Sequence, residues 1–256
     1  MDKTPFSLQQ ALNKAYLKEK VARPAIENFK NCLRILLSNI DHEEFEANVR
    51  DHLRDFLNDA WYKNDFLLAS KERTDLVIHA GKTAKSPAAV LLEVKRPKNA
   101  GEMTSVSDLN RKALQELVLY YLRERIENEN HSIKSLIITD IHQWFIFEEK
   151  DFERYFYHHK KLVEYYHNAK AAKKNTDLIY KTIGADFLPG IVDNLSFTYF
   201  NLKDYTKIAF DQDNSNDHKL IPLYKGISPV HLLKLPFAND SNSLDKGFYH
   251  ELLYLS

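Results

Sequence analysis

Two carboxylates and one lysine have the types and spacing for chemistry: Asp75 in Thr74-Asp75-Leu76-Val77-Ile78, and Glu93 with Lys95 in Leu91-Leu92-Glu93-Val94-Lys95. Side chains alternate along a strand, so Glu93 and Lys95 share one face while Leu92 and Val94 point the other way. Asp75 lies in a neighbouring strand-like run and can face the same side. Two acids converging on one point suit a hard divalent cation such as Mg²⁺, which prefers oxygen ligands. Such a cation polarises a phosphodiester and helps generate hydroxide. Lys95 would orient or deprotonate the attacking water, or stabilise charge on the phosphate. The competing reading is a solvated Glu-x-Lys pair of little energetic weight. What favours chemistry is that both acids interrupt apolar strand sequences, where an unpaired charge is costly.

Other residues could join this set. In the helical pattern from Glu43 to Asp59, the apolar positions Phe45, Val49, Leu53, Phe56 and Leu57 span an arc of roughly 120°. Glu46 falls inside that arc and Glu44 outside it, so Glu46 is a candidate third metal ligand; a salt bridge to Arg50 one turn later fits equally well. Gln115, on the flank of a long apolar helix, could reach the metal or the DNA backbone, or simply be an exposed glutamine. Lys82, Lys85, Arg96, Lys98, Arg111 and Lys112 cluster around these segments and are candidates for phosphate contacts. Gly81-Lys82-Thr83 resembles the end of a phosphate loop, but Leu76 stands where its first glycine belongs. No HExxH, CxxC or G-x-S-x-G occurs. His158, His159 and His167 fall in a lysine- and tyrosine-rich helical stretch and read as surface residues.

The elements that must position these residues are legible in outline. Ser7 with Gln10 forms a capping box for a helix through Tyr16. Pro24 suits a first helical turn, after which Ile26, Phe29, Leu33, Leu36, Leu37 and Ile40 keep the helical period. Thr74 to His79 and Val90 to Lys95 read as a hairpin around the polar loop Gly81 to Pro87, with Pro97 ending the second strand. A helix from about Asp108 to Ile126 follows, then strands at Ser135 to Thr139 and Gln143 to Phe147. Phe197 to Leu202 could be a further strand. The order predicts an α/β sandwich with a mixed sheet flanked by helices. Asp211 to Lys219 reads as a polar linker, dividing a domain at 1–210 from a helical connector at 211–256. Ser228-Pro229 opens a helix there.

Composition sets bounds on partners and compartment. Hydrophobic residues make up 44% and charged residues 28% of the 256 residues, as in ordinary globular proteins. Apolar runs are far shorter than the roughly 20 residues of a membrane span, so no membrane partner is expected. The N-terminus lacks the apolar core of a signal peptide. Cys32, the single cysteine, excludes an internal disulfide and suits a reducing cytoplasm. The formal net charge is zero, which argues mildly against a stand-alone nucleic-acid binder and leaves room for a local basic cleft.

The pattern Thr74-Asp75, a hairpin, Glu93-Val94-Lys95 and a helix bearing Gln115 resembles the PD-(D/E)xK nuclease superfamily, with Thr74 in place of the proline. The blocks Ala11-Leu12-Asn13-Lys14-Ala15-Tyr16, Asp75-Leu76-Val77-Ile78-His79, Gln115 to Arg125, Trp144-Phe145-Ile146-Phe147 and Leu235 to Asp245 are similar to the N-terminal region of type IIG restriction–modification enzymes. That resemblance implies a restriction-endonuclease-like core, Asp75 and Glu93 as Mg²⁺ ligands, Lys95 as catalytic lysine, and Glu46 as the upstream helix glutamate. Gln115 matches the helix glutamine loosely. It implies a cytoplasmic prokaryotic enzyme whose partners are double-stranded DNA and the methyltransferase and target-recognition domains of the same polypeptide. No Asn-Pro-Pro-Tyr-like motif or glycine-rich cofactor loop occurs, so S-adenosylmethionine binding is expected only in an absent methyltransferase region. The alternatives are a repair or recombination nuclease of the same superfamily and an inactive nuclease-like DNA-binding module.

Overall fold

A computed structural model describes residues 4–41, 45–71 and 74–237, with the backbone alone at Lys71, Thr74 and Asp75. Among the described residues four α-helices precede the sheet, α1 (Leu8–Ala11), α2 (Lys14–Lys18), α3 (Arg23–Asn39) and α4 (Glu46–Leu57), the last continuing into a π-helical turn at Asn58–Tyr62. The capping box is present: Ser7 N donates to Gln10 Oε1 at 2.8 Å, and Ser7 Oγ accepts from Gln10 N. The single helix expected through Tyr16 is two. Asn13 Oδ1 accepts from Ala15 N at 2.8 Å and so caps a new helix, because a short amide side chain competes for backbone donors. In α3 the expected apolar face is buried at Ile26, Phe29, Leu33 and Leu36. In α4 Val49, Leu53, Phe56 and Leu57 are buried, whereas Phe45, expected in that stripe, is the N-cap and 76% exposed. Glu43 and Glu44 lie outside the described residues.

The sheet has six strands among the described residues, in the order β1 (Leu68–Lys71), β2 (Thr74–His79), β3 (Ala88–Val94), β4 (Ser135–Thr139), β5 (Gln143–Glu148) and β6 (Phe197–Asn201). Every neighbouring pair is antiparallel except β3 and β4, which run parallel. A parallel pair needs a crossover, and α5 (Lys112–Leu122) supplies it, continuing into a π-helical turn at Arg123–Glu127. After β5 come α6 (Glu149–Phe152), α7 (Lys160–Ala171) and α8 (Thr176–Thr182); after β6 come α9 (Thr206–Phe210), α10 (Ile221–Gly226) and α11 (Pro229–Leu232). The fold is thus α/β, a mixed sheet flanked by helices.

Strand alternation divides the core. Val77, Leu91, Leu136, Ile138, Phe145 and Phe147 pack on one face with α5 and α7. Leu76, Leu92, Val94, Ile137, Trp144 and Ile146 pack on the other with α3 and α4. Residues 211–235 join this second layer. The stretch expected to be a linker winds into a 3₁₀ segment, Asn214–Leu220, and Asp217 is drawn inside by Lys30 of α3, whose Nζ donates to Asp217 Oδ1 at 2.7 Å. Leu220, Leu223, Ile227, Leu232 and Leu233 are buried in the same layer, so packing continues across position 211. The end of the expected helical connector, residues 238–256, lies outside the described residues. Cys32 is buried in α3, and burial raises its thiol pKa. No described helix is long and apolar enough to cross a membrane.

Candidate active site

Glu93 and Lys95 share the face of the sheet that α5 covers, as their spacing demands, because Leu91 packs on that face and Leu92 and Val94 on the other. Lys95 lies one residue beyond β3 yet continues its pairing with β4, donating its backbone N–H to Thr139 O at 2.8 Å. Both side chains are nearly closed off, Glu93 at 1% and Lys95 at 3% exposure. They pair directly, Lys95 Nζ to Glu93 Oε1. Asp75 is on β2, the strand next to β3. The Leu76–Leu92 pairing of β2 and β3, carried one residue on, would set Asp75 across from Glu93. The Asp75 side chain lies outside those described.

A second acid holds Lys95 from the opposite layer. Glu116, on the first turns of α5, accepts from Lys95 Nζ through Oε2 at 2.7 Å and is only 14% exposed. Its other oxygen is 4.0 Å from Lys112 Nζ, and Lys112 donates to Glu102 at 3.0 Å. Glu102 also stands 4.0 Å from Lys95. The result is a chain of alternating charge: Glu93, Lys95, Glu116, Lys112, Glu102. Burial works against the Lys95 ammonium, but Glu93 and then Glu116 outweigh it and hold the group above the ordinary lysine range. The same balance raises Lys112, burial being offset by Glu102 and Glu116.

Glu116 was not among the residues singled out in the sequence, although a signal for it exists. In α5 the flanking residues Ala113, Leu114 and Leu117 through Leu122 are all buried, so a charge at 116 must find a partner. Lys112 and Glu116 also have the i, i+4 spacing that puts them on one side of the helix.

Gln115 points away from this chain. Its Nε2 donates to Asn110 Oδ1 at 3.1 Å, and Asn110 Nδ2 donates to Gly184 O at 2.8 Å. Gly184 is the close-approach point of this clasp: a Cβ there would lie 2.3 Å from Gln115 Nε2. The structure therefore joins Glu93, Lys95 and Glu116 and leaves Gln115 tying α5 to the turn that follows α8. Glu46 opens α4, half-buried, in the layer on the opposite face of the sheet from Glu93 and Lys95. Of the basic candidates, Lys82 stands 3.8 Å from Asp65, Arg111 is 2.7 Å from Asp108 and Lys112 is engaged by Glu102.

Among the described residues no group of three His, Cys, Asp or Glu stands in metal-holding geometry. The described acids around Lys95 are Glu93, Glu102 and Glu116, three carboxylates against the two ammonium groups of Lys95 and Lys112. No curated protein and no solved structure matches the chain. A family profile does match, over residues 6–240, nearly the whole sequence. The chain belongs to that family, the domain of unknown function DUF7149.

Proposed function

We propose that this chain is a Mg²⁺-dependent endonuclease domain of the PD-(D/E)xK type that hydrolyses DNA phosphodiester bonds, the cleavage module of a type IIG restriction–modification enzyme. The observation that carries the reading is the Glu93–Lys95 pair on the α5 side of β3, beside the strand that bears Asp75. The succession of hairpin, crossover helix and parallel strand around that pair supports a restriction-endonuclease-like core.

Asp75 and Glu93 would hold Mg²⁺, and their carboxylate oxygens fit its preference. When bound, the ion would polarise the phosphodiester and lower the pKa of water. Lys95 would present its ammonium to the charge that develops on the phosphate, a role that a protonated amine fixed by Glu116 can fill. Glu46 is the candidate third ligand, but α4 packs on the sheet face opposite Glu93, which weighs against it; Gln115 is a candidate for positioning DNA, and the Gln115–Asn110 clasp favours a structural part for it. Double-stranded DNA is the substrate, and the methyltransferase and target-recognition regions of a type IIG polypeptide are the partners, S-adenosylmethionine belonging to the methyltransferase. The setting is the prokaryotic cytoplasm.

One observation favours a second reading, an inactive nuclease-like DNA-binding module: the 1% and 3% exposures leave little of Glu93 or Lys95 open to substrate. A plasmid assay separates the two. The nuclease reading expects supercoiled DNA to be nicked or linearised in Mg²⁺ and left intact in chelator. Binding without cleavage, for the chain alone and for the chain joined to a methyltransferase region, would favour the inactive module.

A further inference from the structure

We propose, on the nuclease reading of this site, that Glu116 is a positioning residue for Lys95, holding its ammonium from α5 independently of Glu93. Lys95 carries its charge on a four-carbon stem and is 3% exposed. A buried ammonium with one acidic partner becomes a lone buried charge once that partner turns away, which is strongly unfavourable. Among the described residues Lys95 has two close acidic partners, and they come from different layers: Glu93 from its own strand and Glu116, at 2.7 Å, from the crossover helix.

Glu116 is itself fixed. Lys112, one helical turn earlier, stands 4.0 Å from Oε1, leaving Oε2 for Lys95. Lys112 is anchored in turn by Glu102 at 3.0 Å, and Glu102 is tied down where its carbonyl accepts Ala113 N–H at 3.1 Å. The loop between β3 and α5 is thereby fastened to the first turn of α5, and the carboxylate facing Lys95 is oriented from behind. The arrangement matches what outer partners do in working sites: they fix the orientation of the group that acts.

Glu116→Gln keeps the shape of the side chain and removes its charge; Glu116→Asp keeps the charge and shortens the reach. The test uses the whole chain with both variants, Lys95→Met and the Lys95→Met/Glu116→Gln double. Thermal melts without DNA read the pair itself. The melting-temperature loss of the double should be smaller than the sum of the two single losses. With plasmid and Mg²⁺, Glu116→Gln should lower kcat roughly 10–100-fold while leaving KM nearly unchanged, and Glu116→Asp should recover part of the loss. Additive melting losses would overturn the proposal by removing the pair. Wild-type kcat in Glu116→Gln, or no recovery in Glu116→Asp, would overturn it by leaving a structural bridge only. Wild-type protein that shows the coupling in melts and never cleaves DNA would overturn the nuclease reading and the positioning role with it; the melts tell that failure from the other.

Discussion

Lys30 Nζ and Asp217 Oδ1 meet at 2.7 Å across 187 residues of chain, with side-chain exposures of 4% and 11%. The pair pins the 3₁₀ segment Asn214–Leu220 to α3, assisted by Lys30 Nζ to Asn214 Oδ1 at 3.2 Å. Removing one partner strands the other charge in the core. Asp217→Ala should cost about 3–5 kcal/mol, and the double replacement Lys30→Met/Asp217→Leu should recover most of it. Urea unfolding checks both. A loss within about 0.5 kcal/mol, the range of an ordinary surface substitution, would show that the segment is not held by this contact.

The Gln115 clasp makes a separate prediction. A methyl group at Gly184 would meet Gln115 Nε2 at 2.3 Å and Cδ at 2.5 Å, so the glutamine must leave and its bond to Asn110 must break. Gly184→Ala should destabilise by about 1–3 kcal/mol, the usual cost of overpacking. The same change in a Gln115→Ala background should cost less. Equal losses in the two backgrounds, measured by thermal melts, would place the strain elsewhere.

Glu149 and Glu153 form an acid pair beside Tyr121 and Arg125. Burial first, and then Glu153, pushes the Glu149 carboxyl up to about 7. The hydrogen bond with Glu149, against some burial, and the Arg125 guanidinium hold Glu153 below its ordinary value. The folded protein thus keeps a proton on Glu149 that the unfolded chain releases near 4.5. Stability from Glu149 is therefore fully present below that value and is lost as pH rises through about 7. Glu153 has the opposite sign, and its contribution is lost only as pH falls below the ordinary carboxylate range. Melting temperature should decline between about pH 5 and 7 in the wild type, and Glu149→Gln should flatten that decline. An unchanged slope in the variant would remove Glu149 as the cause.

The central strands were legible because their signals are local. Thr74–His79 and Ser135–Thr139 match expectation residue for residue, each a run of branched apolar side chains bounded by polar ones. β1, Leu68-Ala69-Ser70-Lys71, was not expected, since a four-residue edge strand without a β-branched residue carries little pattern. Asp211 to Lys219 read as a loop from composition alone; what folds it is Lys30, far away in sequence. The face shared by Glu93 and Lys95 followed from alternation. The helix residue facing them did not, because neighbouring helical positions point about 100° apart: Gln115 turns to Asn110 and Glu116 to Lys95.

DNA affinity should be weak and salt-sensitive. The chain carries 36 basic and 36 acidic residues, and Lys82, Arg111 and Lys112 already face acids. Affinity built on neutralised phosphates falls steeply with salt and carries no sequence preference. Titration of matched and scrambled duplexes at two salt concentrations should give equal, weak binding that disappears at the higher one. A salt-resistant preference for one duplex would place sequence reading within these 256 residues.

Cleavage by carboxylate variants tests the nuclease reading most directly. Asp75→Ala and Glu93→Ala each remove an oxygen donor from the proposed ion site. Lys95 keeps Glu116 as a partner when Glu93 is gone, so Glu93→Ala should remain folded, as circular dichroism can verify. With supercoiled plasmid and Mg²⁺, the wild-type chain should nick or linearise DNA, and both folded variants should leave it intact. Cleavage at the wild-type rate by folded Glu93→Ala would contradict the account.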